Sequence, residues 1–399
     1  MPAPKKTPAK KTPAKKVVAE RATEPLRIAG TGTAASTVQP RLATALTTAQ
    51  RKALDKFEAE FTKSFGAGTL MREVEPTKYD VIPTGSLALD MATSVGGYVR
   101  GRLHEIWGVD AIGKTTMSLI ACAEAQRLYP DRVTMFVDME QTFDWAWAID
   151  HGIDKSRMLL HVPSTAEGVA DAIKKSCSSD LFSLVVLDSV ASMIPKRERE
   201  KMAEEEVVGT QAKIITRMVK VNAVEARRTN TAVIFLNQVR ANIGNSYVDK
   251  TTGGGWALKH GTTIKMQFSR GPQTYKAGSK DDALIVGHDV AVKIERNKVG
   301  PSQRRANFAM FFQPSEKYGA IGVDKADEAA RLGVKMGIID QRGGYYDLPN
   351  GTTILGLDRV VDHYREHPEE VEEVRALILA AVVGTVKDDA AEPAIGDDE

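Results

Sequence analysis

The chain is nearly without cysteine, and the two it has, Cys122 and Cys177, both sit inside helical patterns. That scarcity leaves a disulfide framework or a cysteine metal site without support and reads as reduced core or helix thiols of a cytoplasmic protein. Long hydrophobic runs are missing as well. No stretch approaches the roughly 20 apolar residues of a membrane span, and none near the start resembles a secretory apolar segment. Nor does one charge dominate: 54 Lys and Arg stand against 52 Asp and Glu, for a net +2. What is present, 42% hydrophobic and 27% charged residues over 399 positions, suits a globular protein with one large core and smaller appended domains.

The near balance of charge conceals two polar ends. Within residues 1–30, Lys5, Lys6, Lys10, Lys11, Lys15, Lys16, Arg21 and Arg27 are opposed only by Glu20 and Glu24. At the other end Lys387 faces Asp388, Asp389, Glu392, Asp397, Asp398 and Glu399. Residues 1–45 read as a disordered basic arm in which "KKTPAKKTPAKK" repeats lysine pairs with proline, suited to a polyanion or simply solvated. Residues 383–399 read as an acidic disordered tail that either competes for basic surfaces or is only solvated.

Between these ends the pattern is regular. In 46–79, Ala53, Phe57, Phe61 and Phe65 recur at helical spacing before a glycine, giving a helix and a linker. From 80 to 318 strand and helix alternate: LHEIW, TTMSLIACAEAQRL, VTMFVD, AEGVADAIKKSC, SLVVLD, a long helix near 206–228, and TAVIFL. The later strands TTIKMQF, DVAVKIE and ANFAMFF have no long helices between them. This order predicts an α/β core with a mostly parallel central sheet finished by antiparallel strands. Residues 319–382 read as a small C-terminal α+β domain.

"GVDAIGKTT", comprising Gly108, Val109, Asp110, Ala111, Ile112, Gly113, Lys114, Thr115 and Thr116, fits the glycine-rich phosphate loop, G-x-x-x-x-G-K-[ST]. It lies where that chemistry requires, after a short apolar strand and before a good helix. Glycines let backbone N–H groups turn inward, Lys114 reaches terminal phosphates, and the Thr115 hydroxyl ligates Mg²⁺. Asp188, ending SLVVLD, is placed to hold the Mg²⁺ shell through water. Glu140, just past VTMFVD, could orient or deprotonate an attacking water; on residues alone a surface loop glutamate fits as well.

The segments "FGAGTLMR", "IPTGSLALDMA", "GRLHEIWGVDAIGKTT", "VDMEQTFD", "VVLDSVASMIPK", "NQVRANIG", "TTGGGWALK" and "ERNKVGPSQRRANF" together resemble the bacterial RecA recombinase family, over about residues 48 to 380. A bacterial and a bacteriophage source fit equally, the lysine-proline arm being unusual for the family. The resemblance implies a RecA-like P-loop NTPase core with ATP and Mg²⁺ as cofactors, and makes the helix in 46–79 a polymerisation arm. It implies Glu140 as catalytic glutamate and Asp144 and Trp147 as adenine contacts, tryptophan standing where the family usually has tyrosine. Gln238 would sense the γ-phosphate. Arg296 and Lys298 would reach the neighbouring subunit's phosphates, Arg296 replacing a lysine. Asp110, Ala111 and Ile112 depart from the family's usual glutamate and two serines, so activity is expected to persist with altered nucleotide affinity or switching.

The resemblance also assigns two DNA-binding loops, about 196–213 and the stretch Asn237 to Gly261. The second reads as a loop of some twenty residues, too long to be idle in a compact domain. Gly253, Gly254 and Gly255 provide backbone freedom, Arg240 and Lys250 charge, and Ile243 and Tyr247 apolar wedges between bases, with Gly244 and Thr252 beside them. Val208, next to Gly209, is the wedge implied for the first loop, and Lys213 and Lys220 match family arginines near the DNA backbone. Trp256 reads as a packing residue.

The expected function is that of a DNA-dependent ATPase and recombinase, forming helical homo-oligomeric filaments on single-stranded DNA and pairing it with duplex DNA. Single-strand-binding protein, loader proteins and repressor-type substrates follow as partners from the resemblance alone. The competing readings are a hexameric helicase-type motor with the same core and a non-hydrolysing DNA-coating protein.

Overall fold

The computed structural model describes residues 47–65, 79–200, 209–241, 250–252, 255–278 and 283–388. The chain divides into two compact units, Met1–Pro76 and Thr77–Glu399. In the first, the described residues form one helix, α1 (Thr48–Phe65). Thr47 and Gln50 begin it reciprocally: Gln50 N–H donates to Thr47 Oγ1 at 3.3 Å, and Thr47 N–H to Gln50 Oε1 at 2.9 Å. This capping box satisfies two donors that a helix start leaves open. Phe57 and Phe61 adjoin on one face, ring centres 5.7 Å apart, with Phe57 53% exposed.

The second unit opens with β1 (Val81–Ile82), α2 (Leu87–Thr93) and β2 (Tyr98–Val99). Strand and helix then alternate as β3 (Leu103–Gly108), α3 (Lys114–Leu128), β4 (Val133–Asp138), α4 (Trp145–Asp150), β5 (Met158–His161), α5 (Ala166–Ser178) and β6 (Phe182–Asp188). The single turn α6 (Lys196–Arg199) and the long α7 (Thr210–Thr229) precede β7 (Ala232–Ala241), β8 (Lys250–Thr252) and α8 (Gly255–Gly261). Next come β9 (Ile264–Ala277), β10 (Leu284–Asn297), β11 (Arg305–Phe311) and β12 (Gly322–Val323). The described residues close with α9 (Lys325–Lys335), β13 (Asp340–Arg342), β14 (Tyr345–Asp347), β15 (Thr353–Leu355), α10 (Leu357–Glu366) and α11 (Pro368–Asp388).

The main sheet runs β12-β11-β10-β9-β3-β7-β6-β4-β5. From β9 to β5 neighbours pair parallel, whereas β9, β10, β11 and β12 pair antiparallel. This is the mostly parallel sheet with an antiparallel edge that the alternation predicts. The middle strands are buried on both faces, so side chains divide by parity. Ala232, Ile234 and Leu236 of β7 join Leu184 and Val186 of β6 in a core under α3. Val233 and Phe235 join Val185 and Leu187 in a second core under α5 and α7.

A third core unites α9, α10 and α11 around Ala329, Tyr364, Val374 and Ile378, with Leu87 of α2 at its border. Buried Glu328 accepts from Ser86 Oγ at 2.6 Å and Leu87 N at 2.8 Å, tying α9 to the start of α2. Asp90 of α2 and Arg375 of α11 form a buried ion pair. Burial pushes the Asp90 carboxyl up to about 6 against the pull of Arg375. Removing one partner of such a pair costs about 3–5 kcal/mol, because the other is left charged and unsolvated.

Candidate functional site

The phosphate loop joins β3 to α3 in the middle of the sheet. Two of its glycines are demanded by geometry. A Cβ on Gly108 would lie 2.3 Å from the Phe268 carbonyl oxygen; Gly113 has φ 90°, and a Cβ there would lie 2.3 Å from Met310 Sδ. Gly113 caps α3 without a side-chain hydrogen bond, so the N–H groups of the first turn are open to an anion. Lys114 curls over the loop, donating to Val109 O at 2.7 Å and Gly108 O at 3.1 Å, and its burial lowers the ammonium pKa. Thr115 Oγ1 donates to Asp188 Oδ2 at 2.6 Å, joining the helix start to the end of β6. Burial pushes Asp188 up to about 6; the Thr115 hydrogen bond opposes this, and Glu140 and Asp138 add to it.

Glu140 is positioned by a turn that the sequence does not advertise. Asp138, at the end of β4, accepts from Glu140 N and Gln141 N through Oδ1 at 2.9 and 2.8 Å and from Phe143 N through Oδ2 at 2.9 Å. Glu140 Oε1 in turn accepts from Ser189 Oγ at 2.6 Å, Gln238 Nε2 at 2.9 Å and Ser192 Oγ at 3.2 Å. One carboxylate thereby gathers the ends of β4, β6 and β7. Behind Gln238, the Asn237 amide donates to Glu105 Oε1 at 3.0 Å, and Glu105 pairs with Lys265 at 3.1 Å.

Beside the loop lies a cavity of about 520 Å³ whose lining includes Ala111, Gly113, Thr116, Trp147, Arg270 and Phe312. Trp147 is half-buried, its ring 4.4 Å from that of His151. Asp144 caps α4, accepting from Ala146 N at 2.8 Å and Trp147 N at 3.4 Å. Sequence reasoning missed Arg270, His288 and Phe312, all on the antiparallel edge; the run ANFAMFF reads as a strand and nothing in it signals a cavity wall.

Arg296 and Lys298 are brought together elsewhere. Arg296 Nη1 donates to Lys259 O and Lys298 Nζ to His260 O at 2.6 Å, so the pair caps the C-terminal end of α8. Burial, with Arg296 and Arg102 nearby, lowers the Lys298 pKa. Among the described residues no hydrogen bond or ion pair joins these two side chains to the phosphate loop of the same chain.

The segments that the resemblance assigns to DNA are only partly within the described residues: Val208, Ile243, Gly244, Tyr247, Gly253 and Gly254 lie outside them. The expectation of an irregular loop from Asn237 to Gly261 is corrected. β7 continues through Arg240 to Ala241, and β8 returns antiparallel, with Val239 opposite Thr252 and Arg240 opposite Thr251. Gly255 starts α8. Backbone groups leaving a buried strand need partners, and the hairpin and helix supply them. The packing role expected for Trp256 is also corrected: it is 75% exposed and stacks on His260, ring centres 5.1 Å apart, the i,i+4 neighbour on α8. The helix expected near 206–228 starts at Thr210, after Gly209 at φ 81°. On the outer face of α7, exposed Lys213 and Lys220 flank Arg217 along a groove of about 480 Å³. Arg217 was missed, although its spacing of four and three residues from the two lysines marks the same helical face.

A glycine loop between a central strand and a helix, with a threonine hydroxyl bonded to a carboxylate two strands away, defines a P-loop α/β protein of the NTPase class. The model of the RecA N-terminal domain matches residues 52–315. Protein RecA of Thermus aquaticus is 34% identical over 333 residues, covering 83% of this chain and 94% of that protein. Protein RecA of Bordetella petrii is 36% identical over 333 residues, covering 81% and 88%. The crystal structure of the RadB recombinase aligns with TM-score 0.44 at 23% identity, covering 58% of this chain and 96% of that one. The chain belongs to the RecA family.

Proposed function

We propose that the chain is an ATP-dependent DNA recombinase that assembles on single-stranded DNA, pairs it with homologous duplex and exchanges strands, hydrolysing ATP as it turns over. The observation that carries this reading is the Gln238–Glu140 hydrogen bond of 2.9 Å. It links the carboxylate beside the phosphate loop to the strand that runs straight into the second DNA-binding segment. A change in what Glu140 contacts is therefore felt at the base of that segment.

The open N–H groups of α3, Lys114 and the Gly108 and Gly113 cradle suit the phosphates of ATP. Thr115 Oγ1 and, through water, Asp188 would hold Mg²⁺, which neutralises phosphate charge when bound. Trp147 and Phe312 both line the cavity for the base, and Asp144 caps the helix that carries Trp147. Glu140 orients the attacking water and takes its proton as the bond to the γ-phosphorus forms and the bond to the leaving oxygen breaks. Arg296 and Lys298 act on the phosphates of the adjacent subunit, and their hold on the α8 carbonyls connects that contact to the same DNA-binding segment. Lys213, Arg217 and Lys220 grip phosphate without reading sequence.

The test combines ATP hydrolysis with and without single-stranded DNA, a D-loop assay with homologous duplex, and electron microscopy with ATP. DNA-stimulated hydrolysis, joint molecules and helical filaments are expected, with all three lost in Lys114→Ala. Closed rings without filaments would assign a helicase-type motor, and DNA coating indifferent to Lys114→Ala would assign a non-hydrolysing binder.

A further inference from the structure

A second cavity, of about 470 Å³, lies between the C-terminal half of α3, the end of α4 and the turn from β12 into α9. Its lining includes Glu124, Arg127, His151, Arg157, Gly322 and Lys325, and it shares no lining residue with the cavity beside the phosphate loop. Small ligands occupy pockets of roughly 300–1,000 Å³, whereas one water takes about 30 Å³.

His151 is 9% exposed, and its two ring nitrogens are placed differently. Nδ1 lies 2.7 Å from the Trp147 carbonyl oxygen, which can only accept, so Nδ1 carries the proton. Burial lowers the imidazole pKa, against the pull of that hydrogen bond and of Asp150, and keeps the ring neutral. Nε2 is therefore a lone-pair acceptor, buried and without a partner among the described residues. A Cβ on Gly322 would lie 3.8 Å from Nε2, so this edge of the ring is turned to the part of the cavity that β12 forms. A buried acceptor in that condition is costly, and a donor on a ligand relieves it.

Around this acceptor the lining is cationic. Arg127 spends Nε and Nη2 on one Glu124 oxygen, at 3.0 and 2.7 Å, and Lys325 donates to the other at 2.8 Å. Arg157 spends Nε on Asp154 and Nη1 on the Gln126 carbonyl, both at 2.7 Å. All three cations keep further N–H groups beyond these bonds. The carboxylates of the lining are Glu124, already held by two cations, and Asp150. Guanidinium groups with N–H to spare suit a phosphate, whose oxygens accept several such bonds at once.

We propose that this cavity binds a small phosphate ester bearing a hydroxyl group, of the sugar-phosphate class. Arg127, Arg157 and Lys325 hold the phosphate, and the hydroxyl donates to His151 Nε2. Because His151 itself donates to the Trp147 carbonyl, the ligand lies one side chain away from the wall of the nucleotide cavity.

The full chain is titrated calorimetrically with ribose 5-phosphate and with inorganic phosphate, each with and without saturating ADP and Mg²⁺. One equivalent of ribose 5-phosphate should bind under both conditions, about tenfold more tightly than inorganic phosphate, for the added hydrogen bond to a buried acceptor. Arg127→Ala, at a side chain 54% exposed, should weaken ribose 5-phosphate at least about tenfold. His151→Phe keeps an aromatic ring and should bind the two probes equally, with its affinity for inorganic phosphate unchanged. Should His151→Phe melt far below the parent, the ratio of the two probes in the parent and the loss in Arg127→Ala decide. The proposal is overturned if the parent does not bind ribose 5-phosphate at millimolar concentration or does not prefer it to inorganic phosphate. It is also overturned if Arg127→Ala binds as the parent does, or if a folded His151→Phe keeps the preference. Displacement of ribose 5-phosphate by ADP, or its loss in Lys114→Ala, would place the ligand in the phosphate loop and overturn it too.

Discussion

Glu140 owes its place to groups that lie far apart in the chain: Asp138 shapes its turn, and Ser189, Ser192 and Gln238 hold its carboxylate. Glu140→Gln keeps the size and can still hydrogen-bond, but it cannot accept a proton. ATP-dependent DNA binding should therefore survive while turnover falls by about a hundredfold or more. Phosphate release and DNA binding measured on one sample check this; unchanged release removes Glu140 from the chemistry. A second residue-level expectation concerns Glu328. Burial raises its carboxyl from 4.5 to about 7, against hydrogen bonds from Ser86, Leu87 and Ala88. Between those values the native state binds the proton that the unfolded chain releases, so this group's contribution to stability is present below about 4.5 and is lost as pH rises to about 7. Melting temperatures across that window should fall less steeply for Glu328→Gln than for the parent, and parallel curves would refute the assignment.

Elements explain which parts of the site could be read in advance. The phosphate loop is legible because its whole function is local: glycines, a lysine and a threonine in nine consecutive residues between a strand and a helix. α7 is nearly as legible, since helical periodicity alone puts Lys213, Arg217 and Lys220 on one face opposite buried Ile215, Met218 and Val219. Arg217→Ala should weaken binding to all DNA sequences alike and reduce the slope of log affinity against log salt by about 1. A fluorescence titration over a salt series measures that slope, and an unaltered one would place Arg217 off the DNA path. The β7–β8 hairpin was not legible. "NQVRANIG" and "KTTGGG" are polar and glycine-rich, which is the composition of a loop, and pairing across eleven residues is a property of two segments together.

Across the molecule, the same family fold joins a nucleotide site, basic helical surface and a C-terminal body clamped to α2 by Glu328 and the Asp90–Arg375 pair. No helix among the described residues is long and apolar enough to cross a membrane. Deleting residues 1–30 removes eight cationic side chains, and DNA binding should become weaker and less salt-dependent; an identical slope would make the arm inert. Class, family and phosphate loop are written in short-range patterns, since periodicity and motif spacing need no knowledge of distant neighbours. The grip on Glu140, the cavity wall from β10 and β11, and the capping of α8 by Arg296 and Lys298 arise only once the sheet order brings remote residues within reach of one another. Such bonds act over about 3 Å, and a linear chain carries no measure of that distance.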